Sequence, residues 1–147
     1  MRKEDIEYYL REKLIRLRTP DSSTIKTLID SAGEKAKAAK MLQVDENTAT
    51  LIFLGLYESM RQLGDAKWWQ IGYEALSHEP SMRILQESNI TEKTKLAKLD
   101  MFRRIRNDSN YRGQKITVAE AKEILEVWES CSHEIIEELK KKLIAPP

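Results

Sequence analysis

Cysteine is nearly absent from this chain of 147 residues, which contains a single one, Cys131. One cysteine cannot form a disulfide within the chain, so an oxidising compartment is not indicated. Long apolar segments are lacking as well. The longest run, Leu51 to Leu56, is far shorter than the roughly 20 residues that a membrane-spanning helix needs. Because the N-terminus also lacks the apolar region of a signal peptide, we expect a soluble cytoplasmic protein.

Histidine is scarce too, with only His78 and His133 in the chain. The sequence has no pair of histidines at metal-ligand spacing, no Cys-x-x-Cys, no Gly-x-Ser-x-Gly and no glycine-rich phosphate loop. We therefore expect neither a metal nor another cofactor. The formal net charge is only +1, so the whole molecule has no field that points to nucleic acid, and any basic surface must be local.

Glycine and proline are few, and Glu, Lys, Leu and Ala dominate, a composition that favours helix over sheet. Apolar residues recur at helical spacing, and no stretch alternates apolar and polar residues as a half-buried strand does. The predicted main helices cover residues 3–17, 24–42, 45–63, 91–109 and 117–142, with a short helix from Ser77-His78 to residue 88. The fold class is therefore all-α, an up-and-down bundle of four to five main helices that forms a single domain over residues 1–147.

Charge is unevenly distributed in the C-terminal third of the chain. Basic residues outnumber acidic ones from Lys93 to Lys115, whereas glutamates dominate from Ile116 to Leu139. One interpretation is that two antiparallel helices neutralise each other. The other is an anion-binding surface at the arginine-rich end of the basic helix, where several guanidinium groups converge. The sequence leaves both open.

The arginine-rich segment from Met101 to Gly113 contains the candidate site. Arg106 lies four residues after Phe102 and seven after Leu99, so it shares the inward face of its helix. A guanidinium in that position must meet a carboxylate or a phosphate, or line a cleft. An ion pair with a glutamate of the last helix is the structural alternative. The candidate phosphate- or nucleotide-binding residues are Arg103, Arg104, Arg106, Asn107, Asp108 and Arg112.

The segment from Arg106 to Tyr111 resembles the signature of HEPN domains, in which an Arg and a His are separated by four to six residues. Three other segments are also similar to the family: Ala36–Leu42, Leu54–Leu63, and the approach from Gly72 to Ser77-His78. The resemblance implies a HEPN-like core over about residues 24–142. In active members it implies metal-independent RNA cleavage where two motifs meet across a dimer. There the Arg stabilises phosphate charge and the His moves the proton of the 2′-hydroxyl.

The signature histidine is missing from this chain. The positions at which the family has it are occupied by Tyr111, Arg112 and Gly113. A tyrosine, with an unperturbed pKa of about 10, is a poor general base at neutral pH, although it can donate a hydrogen bond to phosphate. Arg106 and Tyr111 are the candidate catalytic residues. The alternative for Tyr111 is a core or interface position with a paired hydroxyl.

Three functions are compatible with the sequence. We favour a catalytically degenerate HEPN-like module that binds nucleotide or RNA phosphate. For it the resemblance implies a homodimer and a minimal nucleotidyltransferase as partner, in a toxin–antitoxin-like pair. The aromatic residues around Trp68 and Tyr73 are a further reason to expect a dimer. The second function is a metal-independent ribonuclease that uses Arg106 with Tyr111, or with a histidine from elsewhere such as His78. The third is a structural scaffold whose arginines are all paired internally.

Overall fold

A computed structural model describes residues 1–144 as a bundle of α-helices with a small two-stranded sheet, and residues 145–147 lie outside the described part. In chain order the elements are α1 (Lys3–Arg11), β1 (Ile15–Leu17), α2 (Ser22–Lys40), α3 (Ala49–Gln70), β2 (Tyr73–Ala75), α4 (His78–Gln86), α5 (Leu99–Arg112) and α6 (Val118–Ile144). A 3₁₀ helix over Lys93–Lys98 leads directly into α5. The predicted all-α fold class is confirmed.

The central element is α3, which packs against α2, α4 and α6. Its middle is apolar on almost every side, and Ile52, Phe53 and Leu56 are all nearly or fully buried. The inner face of α2 consists largely of alanines, which allows a close approach to α3. A Cβ added to Gly55 of α3 would stand only 3.2 Å from the Cβ of Ala39 in α2. The small residues that the sequence places along the second helix therefore serve tight helix packing.

The first predicted helix is wrong in its second half. α1 ends at Arg11, Lys13 takes a left-handed conformation with φ 59°, and the chain continues as β1. β1 pairs antiparallel with β2, with Ile15 opposite Ala75. The apolar spacing fits a helix as far as Leu17, but Leu17 is 71 % exposed and so does not lie on a buried face. A second, smaller core forms instead, from Tyr9, Ile15, Trp68 and Ile84.

The third predicted helix is too short, because α3 continues to Gln70 instead of ending at Leu63. Gly64, the residue directly after the predicted end of this helix, lies inside α3. A Cβ at this position would stand 2.2 Å from the backbone oxygen of Ser81 in α4. The glycine therefore permits a close crossing of α3 and α4. This close packing positions the first turn of α4, which borders the candidate site.

The helix ends near the candidate site lie close to the predicted ones, but the helix predicted over residues 91–109 is a 3₁₀ helix over Lys93–Lys98 followed by α5, which ends three residues later than predicted. α4 begins at His78, and α5 ends at Arg112, before Gly113 in a left-handed conformation with φ 68°. A capping box starts α6. The backbone N–H of Glu120 donates to Oγ1 of Thr117 at 3.1 Å, and the N–H of Thr117 donates to the Glu120 carboxylate at 2.9 Å.

None of the helices within residues 1–144 is long and apolar enough to cross a membrane. The same residues contain no group of three or more histidine, cysteine or acidic side chains that could hold a metal ion.

Candidate functional site

The charge asymmetry of the C-terminal third separates into two parts in the structure. At the start of the basic stretch, Nζ of Lys95 lies 3.3 Å from a carboxylate oxygen of Glu126, and Nζ of Lys98 lies 3.2 Å from one of Glu123. Both glutamates belong to α6, so neighbouring helices neutralise this part of the asymmetry, as the first interpretation predicts. The arginines further along α5 have a different environment.

A cleft of about 380 Å³ lies between the arginine-rich end of α5 and the segment that joins β2 to α4. One wall comes from α5 and the other from the start of α4 and the residues before it. The lining residues are Arg103, Arg106, Asn107 and Tyr111 on the first wall and Leu76, Ser77, His78 and Glu79 on the second. The cleft thus brings Arg106 and Tyr111, the candidate catalytic residues, together with His78, the histidine named as an alternative.

The remaining predicted anion-binding residues do not line this cleft. Arg104 and Arg112 are exposed, and the Arg112 guanidinium lies 3.9 Å from a carboxylate oxygen of Asp108. By contrast, Arg103, Arg104 and Arg106 have no carboxylate oxygen within 4.0 Å of their guanidinium nitrogens in the described part of the chain. The structure therefore does not contain the predicted alternative, an ion pair between Arg106 and a described glutamate of α6.

Neutral groups hold the half-buried Arg106 in place. Its Nη1 donates to Oδ1 of Asn107 at 3.1 Å. With the Asn110 amide turned so that its oxygen faces the guanidinium, that oxygen accepts from Nε and Nη2, each at 3.1 Å. The guanidinium carbon lies 6.0 Å from the ring centre of Tyr57 and 5.8 Å from that of Tyr111. These contacts orient the guanidinium but leave its positive charge without a carboxylate to balance it.

His78 and Tyr57 form a pair beside Arg106. The Tyr57 hydroxyl lies 3.0 Å from Nδ1 of His78, within hydrogen-bond distance. Burial of the imidazole, followed by the positive charges of Arg106 and Arg61, lowers the pKa of His78 to about 4. Burial also raises the pKa of Tyr57 to about 12. At pH 7 both side chains are therefore neutral, and the imidazole can accept a proton.

A polar network links α3 and α4, the two helices that carry Tyr57 and His78. Arg61 donates to the carboxylates of Glu58 and Asp65, the latter at 2.7 Å. The hydroxyl of Ser81, in the first turns of α4, donates to Asp65. Because Asp65 lies on α3, the network ties the start of α4 to the central helix. It fixes the position from which His78 faces α5.

Sequence reasoning missed Tyr57 and Ser77 as site residues. Tyr57 lies one turn after Phe53 on an apolar face and is buried, so its spacing indicates only a core aromatic. The signal that could have identified it is the hydroxyl, since a buried phenol normally has a hydrogen-bond partner. Ser77 indicated a helix start and nothing more. The core alternative for Tyr111 is wrong, because that side chain is 77 % exposed.

Comparisons with protein-family models, with curated proteins and with solved structures gave no match to this chain. The similarity to HEPN domains therefore rests on the residues quoted above, and the functional conclusion must come from the cleft.

Proposed function

We propose that this protein is a cytoplasmic HEPN-like module that binds the phosphate of a nucleotide or of RNA in the cleft between α4 and α5. The observation that carries the proposal is the pair of cleft-lining arginines, Arg103 and Arg106, which have no carboxylate within 4.0 Å among residues 1–144. A half-buried guanidinium without a counterion is an unfavourable arrangement in a protein made only for stability. A bound phosphate provides the missing negative charge and accepts charge-assisted hydrogen bonds from the guanidinium fork.

The arrangement of Tyr111 supports a ligand that carries a nucleobase beside its phosphate. Its ring is 77 % exposed and lies on the same wall as Arg106, with 5.8 Å between the guanidinium carbon and the ring centre. An exposed aromatic ring beside a phosphate site is a platform on which a base can stack. Tyr111 thus has a binding role in this proposal, and the chain binds without cutting.

The experiment is a comparison of nucleotide affinity between two arginine variants. Arg106→Gln removes the charge inside the cleft, and Arg104→Gln removes an equal charge from an exposed position on the same helix that does not line the cleft. We expect Arg106→Gln to weaken binding of a nucleoside 5′-monophosphate about tenfold or more, the scale of one charge-assisted contact. Arg104→Gln should change it little. Equal effects of both substitutions on affinity would contradict a site in the cleft.

We also propose a homodimer and a minimal nucleotidyltransferase partner, in a toxin–antitoxin-like pair, as the HEPN resemblance implies. The structure removes one reason for expecting the dimer: Trp68 is fully buried and Tyr73 packs against it within the chain. Exposed apolar side chains that could serve a dimer lie both at the cleft rim, where Leu76 is 47 % and Tyr111 77 % exposed, and away from it, where Met41 is 79 % and Leu51 64 % exposed. Sedimentation velocity across micromolar concentrations tests the dimer. A single monomeric species would contradict it.

A metal-independent ribonuclease is the second candidate, because the structure places His78 in the cleft with Arg106. With the ring proton on Nδ1, that nitrogen donates to the Tyr57 oxygen and Nε2 is the proton acceptor. Nε2 would take the proton of a 2′-hydroxyl as its oxygen attacks the adjacent phosphorus. The P–O5′ bond would break to leave a 2′,3′-cyclic phosphate, and the departing 5′-oxygen would take up a proton from the imidazolium or from water, while Arg106 stabilises the phosphate charge and Tyr111 donates a hydrogen bond to the phosphate. The low pKa of His78 weakens it as a base, which is why we place this function second.

Cleavage of a labelled mixed-sequence RNA without metal separates the two functions. The ribonuclease predicts cutting by wild type and by His133→Gln, whose substituted residue is exposed on α6, and loss of cutting in His78→Gln. Intact RNA with all three proteins would exclude the nuclease and leave the binding function in place.

A further inference from the structure

The first turn of α4 borders the cleft opposite the arginines. Ser77 is the N-cap of α4 and is extended, with φ −145° and ψ 170°, and it is followed by His78 and Glu79. All three residues line the cleft. The backbone N–H groups at the start of an α-helix have no partner within the helix and form the positive end of its dipole. An anion in the cleft therefore meets a positive helix end on one wall and guanidinium groups on the other.

The hydroxyl of Ser77 is a second feature of this helix end that bears on an anion in the cleft. A serine at the N-cap usually accepts a hydrogen bond from the second or third N–H of the helix, but Ser77 makes no such bond. Its Oγ is buried and has no hydrogen-bond partner in the described part of the chain. A buried hydroxyl without a partner carries a desolvation penalty. Rotation about its Cα–Cβ bond would let it donate to an oxygen bound at the helix end.

The hydrogen-bond donors on the two walls are numerous for a small anion. They are the Ser77 hydroxyl, the N–H groups of His78 and Glu79, and the guanidinium groups of Arg103 and Arg106. A phosphodiester inside an RNA chain offers two non-bridging oxygens and one negative charge. A terminal phosphate monoester offers three such oxygens and a charge of about −1.5 to −2 at pH 7. The monoester matches the donors better in number and in charge, although the exposed carboxylate of Glu79 also lines the cleft.

We infer that Ser77 and the first turn of α4 form the second half of the phosphate site, and that the site takes a terminal phosphate monoester in preference to a chain-internal phosphodiester. This inference rests on the proposed phosphate-binding function and assigns the class of its ligand. The monoester belongs either to a free nucleotide or to the 5′ end of an RNA. In both cases its base stacks on Tyr111.

The test measures affinity for one short RNA prepared with a 5′-phosphate and with a 5′-hydroxyl, and for a nucleoside 5′-monophosphate. We expect wild type to bind the 5′-phosphorylated RNA about tenfold more tightly than the hydroxyl form. The 5′-phosphate adds negative charge that attracts the guanidinium groups, and its oxygens accept hydrogen bonds from the donors of the cleft. Tight binding of the mononucleotide with equal affinity for the two RNAs would identify a free nucleotide as the source of the monoester.

The variant that tests the role of Ser77 has a matched control elsewhere in the fold. Ser88 is the other serine of residues 1–144 whose buried Oγ has no hydrogen-bond partner, and it does not line the cleft. Neither Ser77→Ala nor Ser88→Ala removes a hydrogen bond made by the serine hydroxyl, so both proteins should fold. Ser77→Ala should reduce the preference for 5′-phosphate severalfold, and Ser88→Ala should leave it unchanged.

Three results would overturn the inference in different ways. Equal affinity for both RNAs without mononucleotide binding would exclude the monoester and leave a diester site, so the proposed function would survive. An unchanged preference in Ser77→Ala would exclude Ser77 from the site. Absence of binding to all three ligands would contradict the proposed function itself.

Discussion

At the scale of single residues, the proposed function depends on the groups that surround Arg106. A guanidinium on the inward face of a helix can serve stability through an ion pair or serve binding through an open charge, and the sequence cannot separate the two. Among the described residues, Arg106 makes hydrogen bonds to amide oxygens and cation–π contacts with aromatic rings, and no ion pair. Loss of the charge should therefore affect ligand affinity much more than folding.

The acid sensitivity of the fold should depend partly on His78. Its pKa is lowered from 6.5 to about 4 in the folded chain. Between these values the unfolded chain binds a proton that the folded chain does not. The contribution of His78 to the free energy of unfolding is therefore complete above about pH 6.5 and is lost as the pH falls toward 4. Urea denaturation at pH 7 and pH 4.5 should therefore show a smaller acid loss of stability in His78→Gln than in wild type. An equal loss in both would contradict the buried, neutral imidazole.

The hydroxyl of Tyr57 should stabilise the fold, in contrast with that of Tyr111. Tyr57→Phe removes the hydrogen bond to Nδ1 of His78 and leaves a half-buried nitrogen without its partner, at a cost of about 1 kcal/mol or more. Tyr111→Phe alters an exposed ring and should cost little. Chemical denaturation of both variants measures the difference. A similar stability for the two would mean that the Tyr57–His78 contact is not formed in solution.

At the scale of helices and strands, the sequence predicts helix type and helix starts better than helix length. The capping box at Thr117 and Glu120 fixes the start of α6 through local hydrogen bonds, so the pattern alone finds it. The limits of α1 and α3 depend on distant contacts. Ile15 leaves helical geometry to pair with Ala75, and Gly64 stays helical because Ser81 packs against it. Neither contact is visible in local spacing.

The crossing of α3 and α4 should tolerate no side chain at Gly64. A Cβ there would stand 2.2 Å from a backbone oxygen of Ser81, so Gly64→Ala must push the helices apart and should cost at least about 1–3 kcal/mol. Gly33→Ala is the control, because a Cβ in that position of α2 meets nothing within 4 Å and alanine favours helix by about 0.5–1 kcal/mol. The midpoint temperature of thermal unfolding should therefore fall for Gly64→Ala and rise for Gly33→Ala. An unchanged or stabilised Gly64→Ala would contradict the close crossing.

At the scale of the whole molecule, the net charge of +1 conceals a local division. The lysines before α5 are neutralised by α6, whereas the arginines that line the cleft are not. Composition could predict neither outcome, since both sets lie in one basic stretch. The sequence predicts an inward position for Arg106, which lines the cleft. It could not identify Tyr57 or Ser77 as neighbours of the cleft, because they meet His78 and the arginines only when α3, α4 and α5 come together.

Binding of single-stranded RNA should consequently show a weak dependence on salt. With one phosphate held by Arg103 and Arg106 in the cleft, the logarithm of the association constant should fall with the logarithm of salt concentration with a slope of about −0.7. Arg106→Gln should make this slope shallower. Fluorescence anisotropy over a salt series measures both slopes. A much steeper wild-type slope would indicate an extended basic surface in place of a single cleft.

The most direct test of the central claim, that a phosphate binds in the cleft beside His78, is nuclear magnetic resonance of the two histidine rings. His78 lines the cleft and His133 is exposed on α6, so one protein contains both probe and control. Addition of a nucleoside 5′-monophosphate should shift the ring signals of His78 and raise its pKa, because the anion offsets the charge of Arg106. The His133 signals should stay in place. A His78 ring that is unchanged while the nucleotide is bound would contradict the account.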